Sequence, residues 1–296
     1  MPKKPKRLSP GGHIRLLAPA GIVDLQKVHR TQELLTRDGY TVSQGAHLFA
    51  THEIFAGDDQ SRAQDLLDAL SDPDVDAIFF ARGGYGSVRL LPHLDRTDLS
   101  VVAPKCLLGY SDITVLHAYF QSRYDWVTFH GPVGESDWLL ADTRIALAVL
   151  SGMQQSWDAQ LEVFNPVLER IVAPWRGGNL TVLTSLVGTP YIPDLAGCVL
   201  FLEEVNEAPY RIDRMLRQLL LAGCLSRIQG IVWGEAVSCG PEANGFSVRT
   251  VLREVARALG VPCWYGFPAG HGLRNWTIPL GQKLRIDGNQ VVVVSA

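Results

Sequence analysis

Short apolar runs alternate with longer amphipathic segments along most of the chain. The run IRLLAPAG predicts a strand, and LQKVHRTQELLTRDG after it has the apolar spacing of a helix that stops at Gly39. A second strand and a second helix follow in YTVSQG and DDQSRAQDLLDALSDP. The next three apolar runs, in VDAIFFARGGYG, KCLLGYSD and WVTFHGP, are apolar on both faces. This pattern predicts an α/β domain with a flavodoxin-like parallel sheet and helices on both sides.

The pattern changes near residue 151 and then resumes. Residues 156–176 contain two prolines and have no clean helix period, so they predict a linker or crossing segment. A mixed α/β block follows, with a helix that ends at Gly260 and a closing hairpin around Asp287. We therefore predict two domains, residues 1–155 and 177–296, with an active site in the cleft between them.

Composition and charge exclude several classes of protein. The net charge of −3 gives no basic surface for nucleic acid, and no run of about 18 apolar residues predicts a membrane span. The basic start MPKKPKR leads into LSPGG and not into the apolar stretch of a secretory signal. The five cysteines are widely spaced and the histidines scattered, so neither a disulfide framework nor a metal site is predicted. We expect a cytoplasmic protein without a cofactor.

The first candidate site residue is Ser111, in LLGYSDIT, where an apolar run stops. Serine is a favoured helix N-cap, so this residue can simply start the helix ITVLHAYF. A serine on a strand-to-helix turn can also be a nucleophile, since backbone N–H groups at the helix start stabilise an oxyanion. The motif lacks the second glycine of G-x-S-x-G. Local sequence leaves both interpretations open.

A carboxylate pair and two histidines are further candidates. Glu203 and Glu204 end the apolar run CVLFL, where a buried carboxylate needs a partner. His271 lies between two glycines in FPAGHG, which allows close backbone approach and leaves the imidazole free to project. His130 competes with it, since it also ends a strand. The alternative for the carboxylates is an exposed pair, or an ion pair with an arginine of the following helix, Arg211 or Arg214.

Six stretches of the chain occur in one order that is characteristic of a known family: LLAPAG, FARGGYGS, LLGYSDIT, WRGGNLTVLTSLVGTPY, VLFLEEVNEAPYRIDRML and GFPAGHG. Together they resemble the LD-carboxypeptidase family of serine peptidases, which includes the microcin-C self-immunity peptidases. The resemblance extends from about Arg15 to about Lys283.

The resemblance implies a Ser-His-Glu triad. The family's nucleophile falls on Ser111, its acid on Glu203 and not Glu204, and its histidine on His271. The histidine would take the serine proton while the glutamate orients the imidazole.

The resemblance also implies an oxyanion hole and a site for the substrate carboxylate. The backbone N–H of Asp112 and that of Gly84, in the glycine loop, would hold the oxyanion. A cation near the site is expected, since the substrate ends in a free carboxylate. By loop position the candidates are Arg82 and Arg274, and Asn179 is a further substrate-binding candidate.

The implied reaction is release of terminal D-alanine from murein tetrapeptide during cell-wall recycling, by a homodimer. A microcin-C-type immunity peptidase would instead cleave an aminoacyl or peptidyl sulfamoyl adenylate, with adenine stacked on Trp175, Trp233 or Trp276. A third possibility, from another class, is a non-catalytic muropeptide-binding module that closes on its ligand.

Overall fold

The computed structural model describes residues 2–165, 170–242 and 244–294, and the chain divides into two compact units. The first unit comprises Met1–Gln154 and Trp276–Pro279, and the second comprises Gln155–Asn275 and Leu280–Ala296. The described part of the chain forms a six-stranded and an eight-stranded sheet. The fold is therefore α/β with two domains, as predicted.

The elements of the first unit alternate between strand and helix. They are β1 (His13–Leu17), α1 (Leu25–Arg37), β2 (Thr41–Gln44), α2 (Asp59–Ser71), β3 (Ala77–Phe80), α3 (Leu91–Leu94), β4 (Cys106–Gly109), α4 (Thr114–Tyr124), β5 (Thr128–His130) and α5 (Ala141–Leu150).

The second unit follows with β6 (Ser156–Asp158), β7 (Glu162–Phe164), β8 (Arg170–Asn179), α6 (Leu180–Ser185), β9 (Val199–Val205), α7 (Pro209–Leu221), β10 (Gly230–Val237), α8 (Val248–Leu259) and β11 (Cys263–Tyr265). The last strands are β12 (Ile278–Leu280), β13 (Lys283–Asp287) and β14 (Gln290–Val293). Of these, β12 belongs to the six-stranded sheet.

The first sheet has the strand order β2-β1-β3-β4-β5, with β12 beyond β5. The pairings from β2 to β5 are all parallel, which is the flavodoxin-like order predicted from the sequence. Its central strands β3 and β4 are buried at every position, as the continuous apolar runs indicated. Since ligands bind at the carboxyl ends of such strands, the turn after β4 is the part of this unit that concerns function.

The second sheet has the order β6-β14-β13-β8-β9-β10-β11-β7. Strands β8 to β11 are parallel and the others pair antiparallel, so this unit is mixed α/β. The predicted hairpin is present as β13 and β14. Helix α8 is capped by Ser247, which accepts from the Thr250 N–H, and ends at Gly260 with φ 68°, as its sequence indicated.

Residues 156–176 differ from the linker predicted for them. They contribute β6, β7 and most of β8 to the second sheet. The first two are outer strands of three residues each, too short to show a strand period in the sequence. The third alternates buried and exposed positions, but it pairs with β13 from the end of the chain, a partner that local pattern does not reveal.

Candidate active site

Ser111 lies on the turn between β4 and α4 in a strained backbone conformation. Its φ of 64° lies in the left-handed region, which costs a residue with a side chain about 1–3 kcal/mol. A 3₁₀ turn of Ser111–Ile113 precedes the helix, and its cap position is Tyr110. The structure therefore does not place Ser111 as the helix cap. Backbone strain of this kind clusters at functional positions, and Ser111 is partly exposed.

The glycine loop, residues 82–86, follows β3 and approaches Ser111 closely. The Gly83 carbonyl accepts a hydrogen bond from the Gly21 N–H at 3.1 Å, which fixes the first half of the loop. A Cβ atom on Gly83 would lie 3.0 Å from Ser111 Cβ and 3.2 Å from Ser111 Oγ. Gly83 is therefore in contact with the candidate nucleophile. Gly83 was not among the candidates from the sequence, although two consecutive glycines are a signal of close approach.

The two backbone donors predicted for an oxyanion hole are available. Neither the Gly84 N–H nor the Asp112 N–H donates a backbone hydrogen bond within residues 2–165, 170–242 and 244–294. Because the Gly83 carbonyl faces Gly21, the trans peptide turns the Gly84 N–H to the opposite side of the loop. The Asp112 side chain is buried and accepts from the Ser87 N–H at 2.8 Å.

In the second unit, Glu203 and His271 form a hydrogen-bonded pair. Glu203 lies near the end of β9 with no exposed surface, and His271 lies in the loop after β11. The distance from His271 Nδ1 to Glu203 Oε2 is 2.7 Å. A carboxylate that accepts from Nδ1 leaves Nε2 as the atom that can take a proton from a nucleophile. The structure thus brings together two of the three predicted triad residues.

Gly234 and Gly270 leave room for the Glu203 side chain, because neither has a side chain of its own. A Cβ on Gly270 would lie 2.9 Å from Glu203 Oε2, and one on Gly234 would lie 3.2 Å from Glu203 Cβ. Gly270 also has φ 134°, a conformation that L side chains rarely adopt, and its N–H donates to Asn275 Oδ1. Gly270, one of the two glycines that flank His271 in the sequence, therefore serves the close approach that the pattern indicated.

Glu204 has a different environment from Glu203. It accepts hydrogen bonds from Asn179 Nδ2 at 3.0 Å and from both the backbone N–H and the hydroxyl of Thr181, at 2.8 and 2.7 Å. Asn179 also caps α6, since its Oδ1 accepts from the Val182 N–H. These contacts are internal to the unit, so they describe Asn179 and Glu204 as a buried structural pair. Glu204 is thus bound by Asn179 and Thr181 and, in the described part of the chain, not by an arginine. Arg211, one of the two predicted arginine partners, forms an ion pair with Glu207.

The electrostatics of the pair favour a charged imidazole. Burial opposes the charged form of His271, but the hydrogen bond and charge of Glu203, with further contributions from Glu204 and Glu235, hold its pKa above the usual 6.5. Burial also raises the pKa of Glu203 above its usual range, and the hydrogen bond and charge of His271 act in the opposite direction. Glu235 was not among the candidates from the sequence; its carboxyl lies against Gly272 of the same loop, and burial raises its pKa.

The remaining candidates are two exposed arginines, Arg82 and Arg274, and one buried histidine, His130. Arg82 is half exposed and donates to the Ile22 carbonyl at 2.8 Å, and Arg274 is exposed. Their contact with a substrate carboxylate stays a prediction. His130, the competitor of His271, has no exposed surface and packs edge-on against Tyr110.

Two further features concern ligands and membranes. Among the described residues, no group of three or more His, Cys, Asp and Glu side chains is arranged to hold a metal ion. None of the described helices combines the length and apolar character that crossing a membrane requires.

Comparison with known proteins identifies both units. Residues 14–131 match the LD-carboxypeptidase N-terminal domain, and residues 173–286 match the LD-carboxypeptidase C-terminal domain. The murein tetrapeptide carboxypeptidase of Pseudomonas aeruginosa is 33% identical over 95% of this chain and 94% of its own length. The microcin C7 self-immunity protein MccF of Escherichia coli is 29% identical over 91% of this chain and 88% of its own.

A solved structure has the same fold. The crystal structure of muramoyltetrapeptide carboxypeptidase from Oxalobacter formigenes superposes with a TM-score of 0.82 and 29% identity, over 96% of this chain and 99% of that one. The two domain matches cover most of the chain in the expected order. The chain therefore belongs to the LD-carboxypeptidase family and is a peptidase.

Proposed function

We propose that the chain is a serine-type LD-carboxypeptidase that releases terminal D-alanine from murein tetrapeptide. The observation that carries the proposal is the buried hydrogen bond from His271 to Glu203, at 2.7 Å. Ser111, on its strained turn, supplies the third member of the triad. The proposal includes a cytoplasmic location and a homodimer.

The chemistry follows from these residues. Ser111 Oγ attacks the carbonyl of the bond that joins the L-configured centre to D-alanine, and His271 Nε2 takes its proton. Glu203 holds the imidazole by its Nδ1–H and stabilises the imidazolium. The proton then passes to the leaving amine, D-alanine departs, and water hydrolyses the acyl-enzyme by the same route. The N–H groups of Gly84 and Asp112 hold the oxyanion.

The substrate is tested by mass spectrometry of murein tetrapeptide incubated with the protein. We expect loss of one D-alanine and no further shortening, because the leaving group is a single terminal residue. An intact tetrapeptide, with cleavage of an aminoacyl sulfamoyl adenylate, would favour the immunity-peptidase function of the relative MccF. Binding of tetrapeptide without cleavage of either compound would favour the muropeptide-binding module.

One observation bears on the immunity-peptidase alternative. Trp175 and Trp233, two of the three tryptophans expected to stack on adenine, have no exposed surface. Trp276 is partly exposed and donates through Nε1 to Asp142 at 2.8 Å. Of these three, Trp276 therefore remains the candidate for stacking on adenine in the immunity-peptidase alternative, and the two buried rings do not.

The contact of Gly83 with Ser111 gives a second prediction. In Gly83→Ala the new Cβ lies 3.0 Å from Ser111 Cβ, so the nucleophile must shift by a few tenths of an ångström. We expect kcat for D-alanine release to fall about tenfold, because small misplacements of reacting groups are costly.

The matched control is Gly240→Ala, since a Cβ there would meet no atom within 4 Å. That variant should keep the wild-type kcat. Equal rates in Gly83→Ala and the wild type would show that the glycine loop does not position the nucleophile.

A further inference from the structure

The glycine loop ends in a peptide bond that is held from both sides. On one side, the Ser87 N–H donates to Asp112 Oδ2 at 2.8 Å. On the other, the Gly86 carbonyl accepts from Arg62 Nη1 at 3.1 Å. The Gly86–Ser87 peptide therefore lies between a guanidinium and a carboxylate, and both charged side chains are buried. Hydrogen bonds to charged groups are about twice as strong as neutral ones.

Arg62 holds more than this one carbonyl. Its Nε donates to the Gly57 carbonyl at 3.1 Å, its Nη1 also donates to the Pro19 carbonyl, and its guanidinium lies over the Phe55 ring with 4.9 Å to the centroid. The side chain, on α2, has no exposed surface. A planar guanidinium can serve several carbonyls at once, which a lysine ammonium cannot do in the same geometry. Arg62 thus binds backbone carbonyl groups of three separate turns of the first unit.

Asp112 joins the loop to the nucleophile turn. It follows Ser111 directly, its backbone N–H is one of the two proposed oxyanion donors, and its side chain anchors Ser87. Burial raises the pKa of this carboxyl above its usual range, while its hydrogen bonds with Ser87 and the charge of Arg62 act in the opposite direction. Without such anchors a loop that contains Gly83, Gly84 and Gly86 would sample many conformations, because glycine restricts the backbone least. The Gly84 N–H would then have no fixed position relative to Ser111.

We propose that Arg62 and Asp112 are positioning residues that lock the glycine loop against the Ser111 turn, so that the Gly84 and Asp112 N–H groups meet the same oxyanion. Both side chains act on the backbone of the loop, Arg62 on the Gly86 carbonyl and Asp112 on the Ser87 N–H. The inference rests on the proposed serine mechanism. It goes beyond that mechanism because it assigns the alignment of the oxyanion hole to two buried side chains that bind the Gly86–Ser87 peptide from opposite sides.

The test compares Asp112→Ala and Asp112→Asn. We expect Asp112→Ala to lower kcat for D-alanine release about 10–100-fold with KM within about twofold of the wild type, because loss of an oxyanion donor acts on the transition state. Asp112→Asn should recover most of this loss, since its amide oxygen still accepts from the Ser87 N–H. Rescue by the amide distinguishes positioning of the loop from a need for the negative charge alone.

Asp65→Ala is the matched control. Asp65 lies on the same helix as Arg62, is buried, and accepts from a backbone N–H, that of His47 at 2.9 Å. It should lower the melting temperature comparably and leave kcat near the wild-type value. An Asp112→Ala variant with the same kcat as Asp65→Ala would overturn the inference.

A second readout does not depend on the peptide substrate. A fluorophosphonate phosphonylates an activated serine with loss of fluoride, and its phosphonyl oxygen occupies the oxyanion position. We expect labelling of Ser111 to slow about 10–100-fold in Asp112→Ala and in Arg62→Lys, which supplies a second variant if the first does not fold. Unchanged labelling in a folded variant would overturn the inference. Labelling without D-alanine release in the wild type would instead overturn only the proposed substrate, and absence of both would overturn the serine mechanism itself.

Discussion

Ser111→Ala is expected to abolish D-alanine release, with a fall in kcat of about a millionfold, the loss typical when a triad nucleophile is removed. The reason is chemical: alanine has no hydroxyl oxygen with which to form the acyl-enzyme. Binding of the tetrapeptide should persist, because the methyl group of alanine removes only the attacking oxygen. The variant should therefore bind substrate and leave it intact, which mass spectrometry and calorimetry of the same sample will show together.

Two variants complete this measurement. Ser122→Ala is the control, since Ser122 lies on α4 and its hydroxyl donates only to the Tyr119 carbonyl. It should keep full activity. Ser111→Gly should be as inactive as Ser111→Ala but more stable by about 1 kcal/mol, because glycine relieves the strain at φ 64°. Residual cleavage above a thousandth of the wild-type rate in Ser111→Ala would assign the nucleophile elsewhere.

Much of the first unit follows from its sequence, because there local pattern and tertiary environment agree. Strands β3 and β4 are buried on both faces, so their runs are continuously apolar, and the preceding helices α1 and α2 begin at capping aspartates. The order of the strands then places the turn that contains Ser111 at the carboxyl end of the sheet. The candidate nucleophile could be located from these rules and from the family's motif.

Other features depend on contacts that no local pattern encodes. The sequence could not show that β8 pairs with β13, more than a hundred residues later, and so it predicted a linker at 156–176. The sequence predicted a role for Gly84 and none for Gly83, since only the structure shows which of the two glycines contacts Ser111. Nothing in DDQSRAQDLLDALSDP marks Arg62 as an anchor, because its three carbonyl partners lie on separate turns.

Glu203→Gln tests the second half of the proposed triad, and the expected loss in kcat is about 10³–10⁴-fold. The amide is the same size as the carboxylate, so it fits the space left by Gly234 and Gly270. However, it has no charge to stabilise the imidazolium, and its NH₂ group can force His271 into the wrong tautomer. The loss should therefore appear mainly in kcat, measured as D-alanine release over a range of pH.

The pH dependence of kcat/KM tests the role of Glu203 more specifically than the rate at one pH does. His271 must be neutral to accept the serine proton, and Glu203 contributes to holding its pKa above 6.5, so wild-type kcat/KM should rise with pH through a midpoint above that value. In Glu203→Gln the charge is gone, and the midpoint should move to lower pH.

Glu204→Gln is the matched control, because this neighbouring carboxylate is equally buried but is bound by Asn179 and Thr181. It should lower stability by about 2 kcal/mol, since an amide cannot accept from every one of its donors, and keep kcat within a few-fold of the wild type. A larger loss in Glu204→Gln than in Glu203→Gln would reverse the assignment of the acid. The two variants differ by one position on the same strand, and only one of those positions reaches the imidazole. Both carboxylates contribute to raising the pKa of His271, and Glu203 is the one hydrogen-bonded to Nδ1, so the comparison separates the effect of that hydrogen bond from the general cost of changing a buried carboxylate.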